Sequence, residues 1–457
     1  MNTMRFLRAG LVLLFIGLAA LWSTDIRRSP LMKTGMLDFG EIYYGARCAL
    51  HHEDAYDPST VLQEFKAAGG QFPADPVEAK KEPVIITVGV NLPTALFLTS
   101  PLARLPWPLA QTVWMVLTSL ALALGAFLMW DLGGESSSTV AGWLACFMLL
   151  NCAYIFDVGN IAGLTAGLTL IAAWCFLRDR YALCGVVLLA LGLVLKPHDA
   201  GFVWLCFLLA GGAMRKRALQ ACGAAGLLAL ASVLWISVSS PHWMQELHRN
   251  LAEVSVRGGT SDPSLSGITG RGIGSIIDLQ SALSLLWNNP HFYFPAGYLL
   301  GGGLLLVWAV VVLRGRSSER KVKLALAAVS ILLLLPIYHR PYDAKLIMLA
   351  IPACAMVWAE GGRRRWTMLA MTWAAVLATS DIPRALILMW AQSLYPSSGE
   401  MPSVQAGAII TAVGPAVLFC AGCYYLWLMI GANREPDSLP GRETGSSQRK
   451  TAAPAMA

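Results

Sequence analysis

Long apolar runs separated by short polar punctuation dominate the chain. A helix needs about 20 apolar residues to cross a hydrocarbon core about 30 Å thick. Candidate spans fall at residues 6–22, 107–130, 139–156, 161–177, 181–195, 201–214, 218–238, 294–313, 324–338, 346–360, 367–379 and 404–430. Several are short, which suits half-helices or helices that face a water-filled cavity. Residues 84–106 are also apolar but are broken by Pro93, Pro101 and Pro106, so they read as a full span or as a re-entrant, interfacial helix. The pattern predicts an all-α polytopic integral membrane protein with about 12 transmembrane helices, over one membrane domain at 1–432.

Composition supports this. Of 457 residues, 56% are hydrophobic and 13% charged, against about 25% charged in soluble domains. So few charges cannot clothe a soluble surface, and lipid must solvate much of the chain. The net charge of +7 implies no nucleic-acid partner, because the cations are dispersed as short clusters between apolar runs. Nine of the ten cysteines lie inside those runs and only Cys48 lies in a polar segment, so neither a disulfide framework nor a zinc motif is indicated. The first apolar run follows Arg5 and Arg8 and reads as an uncleaved helix rather than a signal peptide, since no clear small-x-small site closes it.

A cytoplasmic N-terminus puts Arg178 to Arg180, Arg215 to Arg217, Arg314 to Lys323, Arg363 to Arg365 and the C-terminal tail on one side, provided 84–106 does not fully cross. Residues 131–139 then form a cytoplasmic loop without cations. Two long polar segments, 23–82 and 239–293, become extracytoplasmic loops; the second carries a Gly/Ser-rich stretch at 257–271 that reads as a flexible cover over a site. The tail at 433–457 reads as disordered. The expected location is the cell membrane, with both termini cytoplasmic.

Three polar stretches interrupt the apolar background on the expected outer side. Lys196 follows Leu195 and precedes Pro197-His198-Asp199, and Arg340 and Lys345 lie in the stretch from Tyr338 to Lys345. Cations there run against the topological bias. They read either as phosphate contacts or as snorkelling groups paired with Asp199 and Asp343. Asp38 and Glu41 sit one turn apart in the third stretch, with Arg47 close by if it is helical. A carboxylate at an outer mouth is suited to act as general base toward a sugar hydroxyl, although solvated acids on a juxtamembrane helix are the plainer reading. Asp57-Pro58 marks a turn beyond that helix. All seven histidines fall in outer segments without spacing such as HxxxH, so scattered loop histidines are expected and no metal site.

The order of these stretches resembles glycosyltransferase family 87, the polyprenol-phosphate-mannose-dependent mannosyltransferases of the glycosyltransferase-C superfamily. The matching elements are Asp38-Phe39, Ile42-Tyr43-Tyr44, Asp54-Ala55-Tyr56-Asp57-Pro58, Pro101 to Pro106, Gly159-Asn160, Leu195-Lys196-Pro197 and Tyr338-His339-Arg340-x-Tyr342-Asp343. The resemblance implies a glycosyltransferase-C-like fold, a catalytic base at Asp38, and donor-phosphate contacts at His339 and Arg340 with Lys196 in support. Glu41, Tyr43, Tyr342, Asp343 and Asn160 are secondary candidates. It implies no cofactor: the partners are membrane lipid, a polyprenyl-phosphate sugar donor and a glycan or glycolipid acceptor. The family usually has Tyr-Pro-Pro where this chain has Asn91-Leu92-Pro93-Thr94, and Gly-Gln where it has Gly159-Asn160. The expected reaction is hexosyl transfer, the sugar being mannose by resemblance, with inversion on the extracytoplasmic face. A lipid or solute transporter, or flippase, with a polar outer cavity is the alternative; it calls for charges near the bilayer midplane.

Overall fold

The computed structural model describes residues 35–70, 85–264, 266–267, 276–315, 318–394 and 401–434. Among these residues every regular element is helical, and long apolar helices make the chain a multi-pass membrane protein. The first expected span, the 257–271 cover beyond its opening residues, and the tail after 434 lie outside the described residues.

Helices begin where the sequence supplies caps. In the first outer segment, α1 (Leu37–Leu50) is followed by α2 (Pro58–Ala67), whose N-cap Asp57 accepts from Thr60 N at 3.1 Å. Next, α3 (Pro93–Ala103) starts on a proline and has 11 residues. It is about 16 Å long and too short to cross the core. It packs on α1.

The run α4 (Trp107–Leu150) is two helices, because Ser137 leaves helical geometry at φ −149°, ψ 97°. A Cβ on Gly133 would meet that of Ala141 at 2.8 Å, and one on Gly142 would meet the Trp130 ring, so the chain doubles back there as a hairpin. This is the division expected between 107–130 and 139–156. After α5 (Ala153–Val158) come α6 (Ile161–Leu177), α7 (Ala182–Leu195), α8 (Pro197–Ala210) and α9 (Gly212–Ser239). The second outer segment contains α10 (Trp243–Ser255) and α11 (Leu279–Leu286). There follow α12 (Pro290–Arg314), α13 (Glu319–Leu332), a buried 3-10 helix at Asp343–Ala350, α14 (Ile351–Glu360), α15 (Arg364–Ala378), α16 (Asp381–Leu394) and α17 (Met401–Arg434).

Each expected span within the described residues has a helical counterpart, several of them short as the sequence suggested. Among the described residues, four runs are long and apolar enough to cross, at Trp107–Val158, Gly212–Ser239, Pro290–Arg314 and Ala412–Asn433, while α6, α7 and α8 have 17, 14 and 14 residues. Helix α16 has no counterpart among the expected spans; Asp381, Pro383 and Arg384 interrupt its apolar run. Lipid-facing surfaces are evident on α9 and α12, where Leu227, Leu234, Leu299 and Leu306 are 63–76% exposed. In contrast, α13 is buried on every side from Val322 to Leu332 and forms the centre of the bundle.

The helices join two distinct ends. Arg178 donates to Asp131 Oδ2 at 2.8 Å and pairs with Glu135, Arg217 pairs with Asp179, and Arg320 meets Glu360 at 2.9 Å. The loops of the basic clusters are thereby tied together in pairs. At the opposite ends of α6, α7 and α13 lie Asn160, Lys196 and the segment leading to Arg340.

Candidate active site

A cavity of about 470 Å³ opens at this second end, a size typical of small-ligand sites. Asp38, Glu41, Asn160, Lys196, His198, Tyr338, Arg340 and Tyr342 all line it. Residues separated by some 300 positions thus share one chamber.

Asp38 is placed by the opening turn of α1. Its Oδ2 accepts from Asn160 Nδ2 at 2.6 Å, while Asn160 Oδ1 caps α6 by accepting from Ala162 N at 2.8 Å. One side chain therefore both starts a helix and orients a carboxylate. The approach requires Gly159: its φ is +67°, and a Cβ would meet Met36 Cβ and Phe39 Cβ at 2.8 Å. Burial raises the Asp38 pKa above the ordinary value; the Asn160 bond and the nearby charges of Arg340 and Lys196 oppose this.

Glu41 faces the same chamber one turn along. Its Oε1 accepts from Val90 N at 2.6 Å, Asn91 N at 3.1 Å and Asn91 Nδ2 at 2.8 Å. Burial nevertheless pushes its pKa to about 7. Arg47 points elsewhere, with Nε 2.6 Å from Glu64 Oε1. Tyr43 is not a cavity residue either: its hydroxyl donates to Leu105 O at 2.7 Å and its ring packs on Trp107.

Lys196 ends α7 and bridges two acids. Its Nζ pairs with Asp343 and lies 3.6 Å from Asp199 Oδ2, with the Tyr342 ring 4.9 Å away. The ion-pair reading of Lys196 therefore holds in the structure, and the lysine still reaches the chamber. Arg340 is held by its own segment, since its backbone N donates to Asp343 Oδ2 at 2.8 Å. Its guanidinium contacts the Tyr338 hydroxyl, the Tyr154 hydroxyl at 3.4 Å and Thr260 O at 2.7 Å. Tyr342 stacks on Tyr154 with ring centroids 5.6 Å apart. Lys345 lies away from the chamber, bonded to Asn151 O.

His339 is brought to the site but not to the cavity wall. Its ring is fully buried behind Lys196, with Nδ1 2.9 Å from Ile337 O and Nε2 3.3 Å from Asp199 Oδ1. His198 takes the wall position instead. Sequence reasoning left it among scattered loop histidines; its place beside Lys196, just past Pro197, was the available signal. Thr260 and Ser261 were anticipated only as part of a cover. They line the chamber on a turn folded around buried Asp262, whose carboxylate accepts from Gly258 N at 2.8 Å and Ser264 N at 2.9 Å.

A helical membrane bundle with a polar chamber at one end, lined by carboxylates and two cations, suits an enzyme that acts on a membrane-borne substrate. The model of glycosyltransferase family 87 matches residues 91–336, more than half of the chain, and the protein belongs to that family. It is accordingly a membrane glycosyltransferase, with a sugar donor and an acceptor as substrates. The match takes in Asn160, Lys196 and His198, while Asp38 and Arg340 flank it. No curated protein and no solved structure matches the chain.

Proposed function

We propose that the chain transfers a hexose, mannose by family resemblance, from a polyprenyl phosphate to a hydroxyl of a glycan or glycolipid. Asp38 is the general base. It takes the proton of the acceptor hydroxyl, whose oxygen forms the new bond to the anomeric carbon as the bond to the phosphate oxygen breaks. The electron pair leaves with the polyprenyl phosphate, whose growing charge is met by Arg340 and Lys196. Such groups act strongly where water is scarce and they need no rearrangement. Single displacement inverts the anomeric centre, so a β-linked donor yields an α-linked product.

The observation that carries this reading is the shared cavity, which Asp38, Lys196 and Arg340 all line. The basic loops sit at the far ends of the same helices, so the positive-inside bias directs the chamber to the extracytoplasmic side of the cell membrane. The two outer segments, 23–82 and 239–293, then contribute α1 and α10 to its rim. His339 acts from behind the wall through Asp199 rather than on the donor directly.

The test is transfer by purified protein from radiolabelled polyprenyl-phosphate mannose to a membrane extract. Asp38→Asn should abolish product while donor binding persists; an Asn variant that works at the parent rate removes Asp38 as the base.

A further inference from the structure

Beside the donor wall, the chain gathers two histidines and an aspartate that no step above uses as a group. His339 Nε2 lies 3.3 Å from Asp199 Oδ1, and His198 Nε2 lies 3.6 Å from the same oxygen. The three ligand atoms fall within 4.8 Å of one another. A tetrahedral ion with bonds of about 2.0–2.1 Å sets its ligand atoms about 3.4 Å apart, close to these spacings.

Hydrogen bonding sharpens the case. His339 Nδ1 sits 2.9 Å from Ile337 O, an acceptor only, so Nδ1 carries the proton. Nε2 then faces a carboxylate oxygen, and a proton or a metal ion between the two would satisfy both. Among the described residues, neither Asp199 oxygen nor His339 Nε2 has a well-directed hydrogen bond, and all three atoms are buried. Facing acceptors in a closed interior call for a cation between them. A histidine that gives its other N–H to a backbone carbonyl is also the usual support of a metal ligand.

We propose that His198, Asp199 and His339 bind one divalent transition-metal ion through Nε2, Oδ1 and Nε2, with zinc the class that best suits two imidazoles and a carboxylate. Asp199 divides its oxygens, Oδ1 to the ion and Oδ2 to Lys196. His198 lines the cavity, so an open coordination position is reached from the donor side. The site rests on its own geometry; its part in holding the donor phosphate rests on the transferase reading.

The experiment needs no sugar. Full-length protein in detergent, supplied with zinc and desalted, should retain about one equivalent by elemental analysis. Cobalt(II) added to the chelator-stripped protein should give the intense visible bands of a tetrahedral ion, and inorganic phosphate should perturb them. Asp199→Asn and His198→Ala, checked for a monodisperse elution profile, should both fall to background. A parent that retains no zinc, shows no cobalt spectrum and carries protons on both His339 nitrogens by NMR overturns the site. So do variants that keep the metal. Stoichiometric metal with transfer that survives chelation leaves the site standing and removes its role at the phosphate.

Discussion

Asn160 and Asn91 hold the two carboxylates of the chamber, Asp38 and Glu41, and both stand where the resemblance expects other residues. Asn160→Ala would cost the α6 cap, about 1 kcal/mol, and free Asp38 to rotate. The expected outcome is a kcat reduced at least tenfold with donor binding preserved, measured by transfer and binding assays side by side. Glu41 supplies a pH signature. Its folded pKa of about 7 lies above the ordinary 4.5, so the folded state holds a proton that the unfolded state has lost between those values. Stability is greatest below pH 4.5 on this account, falls as pH rises toward 7, and levels off above it. Thermal unfolding followed from pH 5 to 8 should show this fall in the parent and a flatter profile in Glu41→Gln. With Asp38 as the proposed base, its raised pKa predicts that activity is lost as pH falls through it, at a higher pH than for an ordinary aspartate. A pH profile of kcat/KM checks the direction.

Between elements, close helix packing fixes where the site groups arrive. On α6, a Cβ at Gly167 would meet backbone atoms of Ala121 at 2.5–2.7 Å, so α4 and α6 approach nearly backbone to backbone. Small residues at helix crossings allow such contact in lipid, where van der Waals packing drives association. Gly167→Leu should separate the two helices, shift Asn160 and lower both the melting temperature and transfer. Gly159→Ala should act more locally. It adds strain at φ +67° and a steric clash with α1, costing about 1–2 kcal/mol, and it displaces Asp38. Differential scanning of the two variants separates them: a large fall in melting temperature for Gly167→Leu, a small one for Gly159→Ala, with transfer lost in both. The hairpin at Ser137 was legible because polar residues 134–139 interrupt the apolar run. Helix α16 was not, because charge and proline masked a helix that draws its stability from packing on α17.

Across the whole molecule, the helices separate a basic end from the end that holds the cavity. Alkaline phosphatase fused after Arg217 should therefore be inactive in cells and active when fused after His242, on the other side of α9. The reverse result would turn the chamber toward the cytoplasm. Apolar run length and poverty in charge sufficed to establish a helical membrane protein, because lipid allows few other solutions. The ordered motifs identified the family and pointed to Asp38 by position, while Lys196 and Arg340 stood out as cations against the topological bias. Tertiary structure alone decided which polar groups meet. It turned Arg47 and Tyr43 away, seated His339 behind the wall, brought His198 to its face, and joined both histidines to Asp199. Those partnerships arise between residues far apart in the chain, so they depend on helix crossings and loop closure, which local periodicity does not encode.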